Sequence, residues 1–237
     1  TLAFKESSGL EVKQLAFDLR ANQKQANLRD FVFEGANSKI ALKELLTTYK
    51  FDNKKLDFST LRYAINGFKA SVKPSDFSPI LPELKSLTTN YTANVDAEGT
   101  SQSVLVKQLN ISDPTLSTQI KAKGWVKNIQ KKPTWDITFS PLKVSKNVLQ
   151  SIAKVAHQPL PKPLTNMGDI HYLGTFAHNM GKYTAKGQLN TDAGNVQLAT
   201  ILHGKNIQGS INTTDLNLAK VLDNNDFGIV STNIKVE

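Results

Sequence analysis

Between Asn190 and Leu222 the chain reads NTDAGNVQLATILHGKNIQGSINTTDLNLAKVL, and inside this stretch the apolar period changes. Val196-Leu198-Thr200-Leu202 and Ile207-Gly209-Ile211-Thr213 alternate every second residue around His203-Gly204-Lys205-Asn206, the pattern of a β-hairpin. From Asp215 to Leu222 the apolar spacing switches from two, Leu216 to Leu218, to three and four, Leu218 to Val221 and Leu222, as in a strand running into a short helical turn. A chain built by repeating such a unit has one apolar side per strand and must put all of those sides together.

The pattern recurs. Leu15-Phe17-Leu19 and Ala26-Leu28 with Phe31-Val32-Phe33 predict a hairpin turning at Ala21 to Lys24, and Ile40 to Leu46 a first strand-into-turn unit. Leu61-Tyr63-Ile65 predicts a strand closed by Asn66-Gly67, a favoured two-residue hairpin turn, with Phe68 to Val72 returning. Asp76 to Leu81 is a compressed second unit, and Pro74, Pro79 and Pro82 oppose any long helix there. Tyr91-Ala93-Val95-Ala97, Val104-Val106, Leu109-Ile111, Leu116 to Gly124 and Trp135-Ile137-Phe139 continue the strands. Leu142-Lys143-Val144 before Val148-Leu149 is a third unit, and Ile170 to Phe176 with Tyr183 to Leu189 a further hairpin. Leu109 to Val144 aligns with Leu189 to Leu218, a repeat of about 75 residues. The expected fold is all-β: repeated antiparallel hairpins in a curved, trough-like sheet with short helical turns, the alternative being a two-sheet β-sandwich. The expected divisions are 1–89 for hairpins and first repeat, 90–156 for a second repeat, 157–166 for a proline-rich linker (Pro159, Pro161, Pro163) and 167–237 for a third.

The 237 residues are 39% hydrophobic and 21% charged, enough apolar material for a folded chain. Without cysteine, disulfides and thiolate metal sites are excluded. The net charge of +9 favours anionic partners, yet Lys121, Lys123, Lys127, Lys131, Lys132, Lys143 and Lys146 fall mostly between apolar positions, as on a solvated strand face. No apolar run reaches the roughly 20 residues that span a bilayer. Thr1 to Ser8 carry no signal-peptide pattern and Ile234 to Glu237 break off mid-strand, so a fragment of something longer is expected.

Reactive constellations are missing. No G-x-S-x-G elbow, phosphate-binding glycine loop, H-E-x-x-H or dinucleotide fingerprint occurs. His171 and His178 lie seven apart, not at a ligand spacing, and Asp223 to Gly228 matches a calcium loop at only three positions, with Ile234 where a bidentate ligand is needed. Asp136 alternates with Trp135 and Ile137 and should face solvent. Neither an enzyme nor a metal or other cofactor is expected. The aromatics sit inside strand patterns and no recognition helix is present, which argues against nucleic acid.

The run Gly209 to Leu222, continuing through Phe227-Gly228-Ile229-Val230 to Val236, resembles the AsmA-like proteins, in particular the TamB-type translocation and assembly module proteins of the Bacteroidetes kind. Ala36 to Leu46 and Phe68 to Leu84 are similar in phrasing; Pro79 and an extra residue after Leu142 depart from the pattern. The resemblance implies a periplasmic protein anchored in the inner membrane, with a curved sheet enclosing an apolar trough. It also implies a part in outer-membrane biogenesis, moving phospholipid between the membranes and partnering an outer-membrane barrel assembly protein. The candidate lipid-groove residues are the one-face apolar set Leu116, Ile120, Ala122, Trp135, Ile137, Phe139, Tyr172, Phe176, Tyr183, Leu189, Val196, Leu198, Ile207 and Ile211. A trough would leave them open to acyl chains, whereas a sandwich would seal them, making the protein a module that binds protein or glycan.

Overall fold

The computed structural model describes residues 2–5, 11–155, 157 and 159–236. Its strands are β1 (Leu2–Lys5), β2 (Glu11–Ala21), β3 (Gln25–Glu34), β4 (Lys39–Asp52), β5 (Lys55–Val72), β6 (Tyr91–Thr100) and β7 (Ser103–Ser112). They continue with β8 (Gln119–Lys127), β9 (Thr134–Val144), β10 (Ile170–Asn179), β11 (Lys182–Thr191), β12 (Gly194–His203), β13 (Asn206–Asn217) and β14 (Ile229–Val236). The helices are short: 3-10 turns at Pro74–Phe77 and Pro82–Ser86, α1 (Lys146–Val155), α2 (Lys162–Asn166) and α3 (Leu218–Leu222). The hydrogen-bonding order of the strands is their chain order, and it does not close on itself. The fold is all-β, built of repeated antiparallel hairpins in one open sheet. No large side chain among the described residues is fully buried, as the inner residues of a two-sheet sandwich would be.

Two compact units divide the chain, residues 1–114 with 125–130 and residues 115–124 with 131–237, the exchange falling within β8. In the first unit the registers put Leu15, Phe33, Ile40, Ala70, Ala93 and Ile111 in one row across β2 to β7, and Phe31, Leu42, Phe68, Val95 and Leu109 in the next. Leu28, Leu45, Ile65, Ala97 and Val106 form a third row. The other face is polar where Glu44 accepts from Asn27, Arg29 and Asn66, and these bonds, with the Arg29 charge, hold its carboxyl below the usual range.

Two expectations fail in this unit for one reason. Asn66-Gly67 is not a hairpin turn: it lies inside the eighteen-residue β5. Gly67 has a φ of +65° and donates its N–H to Asp96 Oδ1 at 2.6 Å, and the ladder to β6 shifts register there. Ile40 to Leu46 is likewise continuous strand, not a strand-into-turn unit. Asp30, also left-handed at +50°, and Gly67 mark a band in which Leu28 and Phe31, Leu42 and Leu45, Ile65 and Phe68 keep to one face although each pair is three residues apart.

The connection from β5 to β6 folds over one end of this face, where Phe77 packs on Phe33 with ring centroids 5.9 Å apart. Asp76 latches it, its carboxylate accepting from Asn37 N–H at 2.9 Å, Asn37 Nδ2 at 3.1 Å and buried Ser38 Oγ at 2.8 Å. Burial pushes the Asp76 carboxyl up, but the Asn37 and Ser38 hydrogen bonds and the Lys73 charge outweigh it and leave the carboxyl below its ordinary value. The latch therefore contributes fully above the usual carboxylate range and is lost as pH falls through the lowered pKa. Asp76→Ala should cost about 2 kcal/mol at pH 7, and the difference from the parent chain should shrink below about pH 4, both read from urea midpoints.

In the second unit the expected hairpins are present, with Met180 and Gly181 left-handed at the β10–β11 turn and Gly204 at the β12–β13 turn. Two strand-into-helix units also stand, β9 leading to α1 and β13 to α3. The predicted repeat matches the element order, β7-β8-β9-α1 against β11-β12-β13-α3. Asn217 caps α3, its Oδ1 accepting from Lys220 N–H, and left-handed Asp223 ends the helix before the turn to β14. Within the proline-rich segment, Lys162–Asn166 is helical, with Pro163 in its first turn where no N–H is needed. Among the described residues no helix is long and apolar enough to cross a membrane.

Candidate apolar binding face

Antiparallel registers without a slip carry a residue's side from strand to strand, so the sequence alternation becomes a surface. Across the second unit, Trp135, His178, Tyr183, Leu202 and Ile207 form an outer row at the hairpin-turn end. Ile137, Phe176, Ala185, Thr200, Gly209 and Val236 come next, then Phe139, Gly174, Gly187, Leu198, Ile211 and Ile234. Leu142, Tyr172, Leu189, Val196 and Thr213 follow. In β9 one extra residue at Ser140–Pro141 keeps Phe139 and Leu142 on the same face. The reverse face carries Asp136, Lys186, Gln188, Asn190, Gln197 and Asn212, Asp136 lying opposite Ala177 as its alternation predicts.

The face is packed at one end and open at the other. Ala193, Val196, Leu216 and Val221 make the buried cluster, with Met167, Leu189, Leu198, Ile211 and Leu218 against it. Polar bonds hold the covering segment: Asp169 N–H and Asp192 Oδ2 meet at 3.1 Å, Asp169 Oδ1 accepts from Lys146 N–H at 2.9 Å, and Lys220 Nζ donates to Asp192 O. At the outer rows no described segment makes a comparable cover, and Phe176 is 38%, Tyr183 39% and Ile207 44% exposed while Val144 is 2%. Large apolar side chains this open and contiguous make the outer rows a candidate binding face.

The rings of the open end support one another. Trp135 lies 4.5 Å from His178 and 6.2 Å from both Phe176 and Tyr183, centroid to centroid, and His178 stacks on Tyr183 at 4.4 Å. Gly181 N–H donates to His178 Nε2 at 3.1 Å, so the imidazole hydrogen is on Nδ1, which donates to Pro133 O at 2.8 Å. A ring bonded through both nitrogens within an aromatic stack is a structural piece of this end of the sheet. Deeper in, the Tyr172 hydroxyl donates to Thr175 O at 2.7 Å, and burial raises its pKa. Its oxygen would lie 2.9 Å from a Cβ placed on Gly174.

Eleven of the fourteen predicted residues, Trp135, Ile137, Phe139, Tyr172, Phe176, Tyr183, Leu189, Val196, Leu198, Ile207 and Ile211, share this face by register. Ile120 and Ala122 stand in period two with Gly124, whose Cα side faces Asp136 O and the Ile137 Cα, and so join it. Leu116 does not: β8 starts at Gln119, and Leu116 lies in the preceding connection with a φ of +56° and half its surface exposed. Sequence reasoning missed Leu202 and Ile234 here. It also missed the equivalent face of the first unit, where Phe17 and Leu19 are more than half exposed. The signal for those was the alternation of β2, which named them as strand but not as a site.

Among the described residues no three His, Asp or Glu side chains gather as a metal-holding group. No protein-family description, curated protein or solved structure matches the chain.

Proposed function

We propose that the chain is a section of a lipid conduit, in which the open apolar face of each unit holds acyl chains and lysines at the rim hold phosphate. The supporting observation is the graded exposure of one continuous face, sealed by α3 and its neighbours at one end and left bare around Trp135, Phe176, Tyr183 and Ile207 at the other. Lys205 stands in the β12–β13 turn at the end of that bare row, where an anionic head group would meet it while chains lie inward. A buried methylene contributes about 0.8 kcal/mol, so a ten-carbon stretch lying on the face would be held firmly without any specific polar contact. With the sequence resemblance to AsmA-like, TamB-type proteins, this reading places the parent protein in the periplasm, anchored in the inner membrane. There it would serve phospholipid transport and outer-membrane protein assembly beside a barrel-assembly partner. The role needs no catalysis.

A photoreactive benzoylphenylalanine at Phe176 or Tyr183, irradiated in cells, should yield phospholipid adducts, and the same group at Gln197 on the reverse face should not. Adducts to protein alone from Phe176, or equal lipid labelling from Gln197, would overturn the reading.

A further inference from the structure

The first unit has an apolar island on the face opposite its three apolar rows. Leu46, Ala64, Glu98 and Leu105 form one row across β4 to β7, and Thr48, Arg62, Thr100 and Ser103 the row beyond. These sides point away from the apolar face described above, because Leu45, Ile65, Ala97 and Val106 hold that side. Leu46 and Leu105 therefore stand out, being apolar where the adjoining row carries Arg29, Glu44 and Asn66. Leu105 is 39% exposed, so packing does not account for it.

Together with Trp125, which belongs to the same unit, this island floors a cleft of about 540 Å³. That volume is in the range of small-molecule sites. Its charge is one-sided. Glu98 is already paired with Lys107, while among the described residues Arg62 and Lys127 have no carboxylate partner. Lys127 Nζ lies 4.7 Å from the Trp125 ring centroid, which fixes one cation at the aromatic edge of the cleft. The hydroxyls of Thr100 and Ser103 bond each other at 2.9 Å in the same row as Arg62.

We propose that this cleft binds a small amphipathic carboxylate, its head on Arg62 and its apolar body on Leu46, Ala64, Leu105 and Trp125. A planar guanidinium takes a carboxylate through two parallel N–H bonds, and the apolar floor supplies the area that an inorganic anion could not use. The head-group contact at Arg62 lies on the side opposite the proposed acyl-chain face, while Tyr63, Gly99 and Val104 at the edge of that face also line the cleft.

The test uses the full chain with ¹⁵N-labelled tryptophan, whose two indole N–H signals are told apart by Trp125→Phe. Octanoate should shift the Trp125 signal saturably, and octanamide, the same body without the charge, should bind about tenfold more weakly. Arg62→Gln, at an exposed position, should erase that preference. If octanoate moves only the Trp135 signal, if acid and amide bind Trp125 equally, or if Arg62→Gln keeps the preference, the assignment is wrong. The first of these outcomes would still leave the acyl-chain face standing.

Discussion

Gly174→Ala should lower the stability of the second unit by about 3 kcal/mol, read as a shift in the urea midpoint of Trp135 fluorescence. Gly174 and Gly187 face each other across β10 and β11 with φ values of +151° and +159°, a region that residues with a Cβ avoid. A Cβ on Gly174 would stand 2.2 Å from Lys186 O and 2.9 Å from the Tyr172 hydroxyl, and one on Gly187 2.2 Å from Leu173 O. The neighbours are mostly backbone and cannot swing aside. The Tyr172 hydroxyl occupies the space above Gly174 instead, an arrangement in which an aromatic side chain replaces the packing that a glycine lacks. Gly181→Ala is the control: its φ is +79°, but a Cβ there meets nothing within 4 Å, so only backbone strain is added, about 1 kcal/mol. Equal effects at Gly174 and Gly181 would show that the close approach of the two strands is not what the glycines serve.

The same pair explains what the sequence alone could reveal. Alternation at Ile170 to Phe176 and Tyr183 to Leu189 names Gly174 and Gly187 as members of the apolar side, but not that they meet; that follows from the register, which the Met180–Gly181 turn sets. Where turn chemistry and period agree, as in β10 to β13, both the strands and their shared face are legible. Spacing of three is ambiguous. From Leu218 to Val221 it is a helical turn, started by the Asn217 cap, whereas from Leu42 to Leu45 it is a strand passing through a band of irregular register. Asn66-Gly67 fails similarly, since a glycine that accepts positive φ suits a turn or a bulge, and the length of β4 decides between them.

The open end of the apolar face was legible as residues but not as an open end. Val196 and Ile207 carry equivalent apolar signals in sequence, yet the first is 9% and the second 44% exposed, because α3 reaches only one. Coverage depends on the Asp169 and Asp192 bonds that seat the connecting segments, and on Gly168, where a Cβ would fall 2.1 Å from Asp192 Oδ2. Such long-range polar contacts leave no period behind. The cleft over Leu46 and Leu105 was hidden for a related reason: adjacent apolar residues in a strand show that both faces are apolar there, without showing which unpaired charges stand beside them.

Val221→Asp and Phe176→Ser should have opposite consequences. Val221 is 6% exposed inside the cluster with Ala193, Val196 and Leu216, so a carboxylate there is buried without a partner and should cost about 3–5 kcal/mol, enough to detach α3 or unfold the second unit. Phe176 sits on the same face at the uncovered end, touching the Trp135 and Tyr183 rings from one side with solvent on the other. Its loss to serine should cost about 1 kcal/mol of stability while removing much of the bare apolar area that acyl chains would occupy. The measurement is paired: thermal unfolding for the fold, and phospholipid retained by the purified chain, by mass spectrometry, for the face. Phe176→Ser should retain the parent's unfolding transition within a few degrees and lose most of its lipid. If instead Phe176→Ser unfolds the chain as Val221→Asp does, the outer rows are core sealed by contacts within the protein, and the acyl-chain proposal fails with them.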